Sequence, residues 1–126
     1  MPRKLVESFA NAFRGLRFSY RSQRNLSVHT AAAVSALVLG ILLRISLAEM
    51  ALIVLLIANV IVLELLNTAI EEIVNMLTLS RKMRAMVAKD VSAAAVLVAA
   101  AASVVIGCLI FVPRIVNLLI GGQWAI

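Results

Sequence analysis

V-S-A-A-A-V-L-V-A-A-A-A-S-V-V-I-G-C-L-I-F-V, from Val91 to Val112, carries no charged side chain and stops at Pro113. A helix rising 1.5 Å per residue would stretch it to roughly 33 Å, about the thickness of a bilayer's hydrocarbon core, and proline is a poor residue to continue it. Two apolar runs precede it. One extends from Leu26 to Leu43 with His29 near its start; the other begins near Ala48, is apolar to Leu63 and keeps helical register to Leu77. Composition points the same way: 63% of the 126 residues are hydrophobic, 14% are charged, and the mean hydropathy is +1.07. Soluble domains do not have this balance. The expected fold class is an all-α membrane protein forming one domain over residues 1–126. Its transmembrane helices are expected at about 26–46, 48–77 and 90–112, after an amphipathic surface helix at about 4–22.

Ahead of the first span, Leu5, Phe9, Ala12, Phe13, Leu16 and Tyr20 fall on one side of a helix and Arg3, Arg14, Arg17 and Arg21 on the other. Two roles suit this helix: an interfacial anchor held by anionic lipids, or an anchor whose guanidinium forks also hold phosphate. The span that follows leads into two more spans, so it is expected to stay in the protein rather than be removed as a signal. Positive residues set the orientation. Arg3, Lys4, Arg14, Arg17, Arg21 and Arg24 precede span one, and Arg81, Lys82, Arg84 and Lys89 separate spans two and three, so both segments are expected on the cytoplasmic side. The link from Arg44 to Glu49 and the tail after Pro113 then face the other way.

Span two ends in E-L-L-N-T-A-I-E-E-I-V-N, Glu64 to Asn75, which places Glu64, Asn67, Thr68, Glu71 and Asn75 on one helical stripe. A charged side chain in the bilayer centre costs about 2.5–3.5 kcal/mol on insertion scales, so the row calls for a reason. It reads either as a polar seam binding helices together or as the chemistry of phosphoryl transfer. In the second reading one carboxylate takes a proton from a hydroxyl, another holds Mg²⁺ on a nucleotide, and a cation balances charge. Glu64, Glu71 and Lys89 supply those groups, with Glu64 about two turns deeper than Glu71. That order suits a lipid alcohol meeting a water-soluble nucleotide.

In span three Ala95, Ala99, Ser103 and Gly107 recur every fourth residue, a seam on which another helix can pack closely. Asp90 is placed to cap this helix, and beside it Lys89 is a snorkelling lysine or a phosphate contact at the helix N-terminus. Cys108, the single cysteine, reads as a small packed hydrophobe. No acid lies at helical spacing from His29, which reads as a packing residue at head-group depth. There is no G-x-x-x-x-G-K-[ST] loop and no Gly-rich strand-loop pattern, so a kinase here is not of the soluble kinds.

E-L-L-N-T-A-I-E (Glu64 to Glu71), followed after a basic loop by A-K-D (Ala88 to Asp90), resembles the small bacterial diacylglycerol kinases and undecaprenol kinases. The resemblance extends to R-G-L (Arg14 to Leu16), to Q-R-N with the following His29, and to the order of the spans, nearly the whole chain up to Pro113. It implies a homotrimer in the bacterial cytoplasmic membrane, with active sites at the cytoplasmic interface between subunits and ATP with Mg²⁺ phosphorylating a lipid alcohol. Matching positions imply Glu64 as catalytic base, Asn67 as an active-site hydrogen-bonding partner, Glu71 as Mg²⁺ ligand, and Lys4, Lys89 and Asp90 as nucleotide contacts. Nucleic acid is not an expected partner.

Relatives often carry Glu at Gln23, Asp at Asn75, an aromatic near Asn11, and an acidic-aromatic-His run where this chain has Ser80 to Lys82. Gln23 remains a ligand candidate through its carbonyl, a weaker partner for a hard cation than a carboxylate. Diacylglycerol is the leading expected acceptor and undecaprenol the alternative; R-N-L-S-V-H (Arg24 to His29) resembles the polyprenol-kinase form but occurs in both groups. From other classes, a proton- or cation-coupled oligomeric transporter and an inactive scaffold remain. Transporter acids gather near the bilayer midplane, whereas these crowd toward one end.

Overall fold

The computed structural model describes residues 2–76 and 82–121, excepting the side chains of Pro2, Arg3 and Lys82. Four helices follow one another: α1 (Pro2–Ser22), α2 (Arg24–Leu42), α3 (Leu47–Met76) and α4 (Lys82–Leu119). Among the described residues there is no strand. Helices α2, α3 and α4 are each long and apolar enough to cross a membrane, which is the expected fold class.

The junctions follow from local chemistry. Gln23 alone separates α1 from α2: its backbone is extended (φ −116°, ψ 109°), and its N–H closes the end of α1 on the Ser19 carbonyl at 2.9 Å. Its side chain makes no capping bond to α2 and is available elsewhere. At the opposite end of the bundle α2 closes in a Schellman turn. Arg44 takes a left-handed conformation (φ 49°), its N–H bonds to the Ile41 carbonyl, and the Ile45 N–H reaches back to the Gly40 carbonyl, both at 3.1 Å. This turn ends α2 at Leu42, short of the expected boundary near 46. A capping box then starts α3: Ser46 Oγ accepts from the Glu49 N–H at 3.3 Å, and Glu49 Oε2 accepts from the Ser46 N–H at 2.8 Å.

Helices α3 and α4 pair most extensively, with α2 against α3. Leu43, Ile53, Ile110 and Phe111 form a buried cluster near the α2–α3 turn. Beside it Arg114 Nη2 meets Glu49 Oε2 at 2.7 Å and ties the start of α3 to the far part of α4. Much of the remaining apolar surface is open, as at Leu97 and Leu109, which suits contact with lipid or with further helices. Helix α1 also leaves its apolar side uncovered at Leu5, Phe9 and Phe13.

Two expectations about α4 are corrected. The helix begins at Lys82, so Asp90 lies about two turns inside it, where backbone N–H groups already have partners, and caps nothing. Lys89 likewise is not at a helix N-terminus. At the other end α4 passes through Pro113 to Leu119. Proline removes one donor, and the Arg114 guanidinium supplies another nearby, to the Ile110 carbonyl at 2.9 Å. The small-residue seam is used in part: Ala99 is buried and Ser103 and Gly107 are half-buried, but Ala95 is exposed. Cys108 is exposed rather than packed.

Candidate active site

Because α2 and α3 run antiparallel, the start of α2 lies beside the end of α3. The polar stripe of α3 therefore meets the α1–α2 junction. Glu64, Asn67 and Thr68 are buried, Glu71 is half-buried and Asn75 is exposed, so the stripe rises from the interior to the surface over three turns. The Thr68 hydroxyl donates to the Glu64 carbonyl at 2.9 Å, which leaves the stripe's other side chains for contacts between helices.

Glu71 is the centre of the outer part. Gln23 Nε2 donates to Glu71 Oε2 at 2.7 Å and Asn67 Nδ2 reaches Glu71 Oε1 at 3.4 Å. Asn67 Oδ1 accepts from the Ser92 hydroxyl at 2.6 Å, which carries the network onto α4. Lys89, one turn before Ser92, donates to Asn75 Oδ1 at 3.4 Å. Gln23, Asn67, Glu71 and Lys89, four of the expected site residues, thus stand in one hydrogen-bonded region shared by α3, α4 and the α1–α2 junction.

The inner part holds Glu64, whose residue is 1% exposed. His29 Nε2 lies 3.2 Å from Glu64 Oε1, while Glu64 Oε2 is buried with no hydrogen-bond partner. A buried acceptor left unpaired costs about 1–3 kcal/mol, more if charged, so the fold keeps this acid at a cost. The reading of His29 as a packing residue rested on the lack of an acid along its own helix. The acid comes from α3. The signal lay in the antiparallel register: from Gln23 to His29 and from Glu71 to Glu64 are nearly equal advances along facing helices, so the second pair matches in depth once the first is known. Ser92 was also missed, although it follows Lys89 by three residues on the same helix face.

His29 borders a cavity of about 400 Å³ between α2, α3 and α4, whose walls include Ala33, Val60, Ser103, Gly107 and Phe111. Its lining is apolar apart from His29 and Ser103. Two expected residues stand apart from the cluster. Lys4 is exposed in the first turn of α1, roughly 28 Å along the helix axis from Gln23. Asp90 is exposed on α4. The stretch Ser80 to Arg81 and the Lys82 side chain lie outside the described residues.

The donor set suits a divalent hard cation shared with phosphate. Mg²⁺ is usually held by one or two carboxylates together with substrate phosphates and waters, and Glu71 offers the carboxylate; Gln23 and Asn67 turn their amide nitrogens to it, and Asn67 Oδ1 accepts from Ser92. Among the described residues no three His, Cys, Asp or Glu side chains gather, so a cage built from protein alone has no counterpart.

An apolar bundle with a buried acid and a carboxylate–amide cluster at one end is suited to chemistry on an amphiphile at the bilayer surface, and known proteins with this sequence pattern identify that chemistry. Residues 10–111 match the family model described as prokaryotic diacylglycerol kinase. An undecaprenol kinase of Bacillus subtilis (strain 168) is 43% identical over 112 residues, 89% of this chain and 91% of that protein. A diacylglycerol kinase of Synechocystis sp. is 36% identical over 118 residues, 92% of this chain and 67% of that protein. The molecule is an integral-membrane lipid kinase. It belongs to the prokaryotic diacylglycerol kinase family.

Proposed function

We propose that this kinase transfers the γ-phosphoryl group of ATP, as its Mg²⁺ complex, to the hydroxyl of undecaprenol at the cytoplasmic face of a bacterial inner membrane, and that it works as a homotrimer. The observation that carries the reaction is the graded stripe on α3: a buried acid at Glu64, and above it a half-buried carboxylate, Glu71, within reach of Gln23 and Asn67. A lipid hydroxyl held at bilayer depth meets the first, and a nucleotide arriving from water meets the second. The 43% identity to a kinase named for undecaprenol, across 91% of that protein, supports putting this lipid ahead of diacylglycerol, the acceptor that led the expectations from sequence. Diacylglycerol is the second reading, favoured by the family description and by the relative named for it.

In this reading Glu64 receives the proton that leaves the lipid hydroxyl, which sharpens the oxygen as a nucleophile. Glu71, with Gln23 and Asn67 beside it, would hold the cation. When bound, Mg²⁺ supplies charge neutralisation on the phosphates and fixes their orientation. Asn67 is positioned by Ser92 and in turn supports Glu71. Lys89, beside Asn75, balances phosphate charge, Asp90 next to it is a nucleotide contact, and Lys4 is one that a neighbouring subunit would have to bring into place. Positive residues ahead of α2 and before Lys89 favour a cytoplasmic site.

The test uses purified protein in mixed micelles with labelled ATP, Mg²⁺ and either undecaprenol or diacylglycerol. Label is expected in lipid phosphate, with undecaprenol the better acceptor by kcat/KM, and Glu64→Gln is expected to lower kcat by about 10²-fold or more. Faster transfer to diacylglycerol would reverse the order of acceptors. Transfer to neither lipid would remove both.

A further inference from the structure

Glu64 does not border the apolar cavity; His29 does, and His29 is also the side chain that touches the acid. The imidazole Nε2 is 3.2 Å from Glu64 Oε1, and the His29 side chain is 26% exposed against 2% for Glu64. The second carboxylate oxygen is closed off and unpaired. A hydroxyl carried into the cavity on an apolar chain therefore meets imidazole before it meets carboxylate. No hydrogen bond among the described residues engages the second ring nitrogen, Nδ1. The cavity, at about 400 Å³, takes a length of hydrocarbon chain and offers only His29 and Ser103 as polar groups.

We propose that His29 and Glu64 act as a dyad, with His29 the catalytic residue that takes the proton from the acceptor's hydroxyl and Glu64 the buried acid behind it. The inference rests on the reading of Glu64 as the acid that drives proton removal, and it moves the first acceptor of that proton from the carboxylate to the imidazole beside it. The hydroxyl oxygen forms the new bond to the terminal phosphorus of the nucleotide, and the bond from that phosphorus to the diphosphate oxygen breaks. The proton passes to imidazole, and the dyad leaves the step holding one proton more than it had. Imidazole gains charge beside a carboxylate, the arrangement by which a buried acid favours a histidine base in hydrolases of unrelated fold. The acceptor it fits is an alcohol with an extended apolar chain, reaching the dyad from within the membrane.

The experiment compares wild type with His29→Ala, His29→Gln, Glu64→Gln and the double variant His29→Ala/Glu64→Gln, as full chains in mixed micelles with undecaprenol and Mg-ATP. Circular dichroism and detergent-solubilised melting confirm the fold of each. His29→Ala is expected to lower kcat by about 10²-fold while the KM for ATP is unchanged, and added imidazole to restore part of the rate. His29→Gln keeps a donor near Glu64 but no basic nitrogen, so its kcat is expected to stay as low as that of His29→Ala. The double variant is expected to be no slower than the slower single, because residues acting as one unit lose their effect together.

Wild-type kcat in His29→Ala, full recovery in His29→Gln, or losses that multiply in the double variant would each overturn the dyad. If His29→Ala fails to fold, His29→Gln and Glu64→Gln decide the matter by the same criteria. An active Glu64→Gln protein would instead overturn the role of Glu64 on which the dyad rests. That outcome is distinct, since it is read without any change at His29.

Discussion

At Glu71 the site differs from a fully acidic one by a single neighbour. Gln23 donates to Glu71 at 2.7 Å, so the pair is comfortable without a cation. Gln23→Glu would set two carboxylates against each other, and like charges at that distance disfavour the ionised pair until a cation joins them. The variant is expected to melt at lower temperature than wild type in EDTA, to regain stability with Mg²⁺, and to need roughly 3- to 10-fold less Mg²⁺ for half-maximal transfer. A melting temperature unmoved by Mg²⁺ would remove Gln23 and Glu71 as a cation site. Asn67 is the other hinge of the network, joining Ser92 to Glu71 while only 6% exposed. Asn67→Ala is expected to destabilise the bundle by about 1–3 kcal/mol, the cost of leaving buried polar partners unmet. Chemical denaturation in detergent reads that loss. The stripe was legible because a period of 3.6 residues aligns Glu64, Asn67 and Glu71 without any tertiary knowledge. His29 was not, since its partner depends on the register of two helices joined by a turn, which no single helix reveals.

The helices themselves are fixed by patterns of differing clarity. Apolar runs located α2, α3 and the middle of α4, because insertion in a bilayer demands an unbroken span. Ends are set by caps, and these divided. Ser46 and Glu49, three residues apart, form a capping box at the start of α3 that the sequence reading had passed over. Asp90 is equally suited by type to cap a helix, but the chain before it also forms helix, so it is interior. Pro113 suggested a stop, and an interior proline costs a helix roughly 3 kcal/mol, yet α4 continues past it, tied to α3 by Arg114 on Glu49. The α2–α3 turn holds a residue whose type opposes its conformation. Arg44 at φ 49° adopts the left-handed region that favours glycine, with a cost of roughly 1–2 kcal/mol for a residue bearing Cβ. Arg44→Gly is therefore expected to stabilise the turn by up to about 1 kcal/mol after the extra freedom of glycine in the unfolded chain is counted. Ser46→Ala, which removes a cap, is expected to cost about 1 kcal/mol. Thermal melting of both variants in one detergent decides between these opposite signs.

For the whole molecule, the separation between the residues assigned to one site is the telling quantity. Gln23, Asn67, Glu71 and Lys89 converge within one chain, whereas Lys4 stands at the far end of α1, roughly 28 Å along its axis from Gln23. A rigid helix cannot bring both of its ends to one nucleotide. If Lys4 serves a site, it serves that of a neighbouring copy, and the uncovered apolar faces of α1 to α4 leave surface for such a neighbour. In a closed ring each chain would give Lys4 to the next and receive another in return. Lys4→Ala and Glu71→Gln chains, each purified with little activity, are then expected to complement when mixed in detergent and reconstituted together. In a site built from one chain's Glu71 and its neighbour's Lys4, random mixing of equal amounts makes about one quarter of sites whole. Recovery of about a quarter of wild-type kcat, with cross-linking that runs at three chains, is the expected result. Mixtures no more active than the separate variants would confine each site to one chain and leave Lys4 outside it.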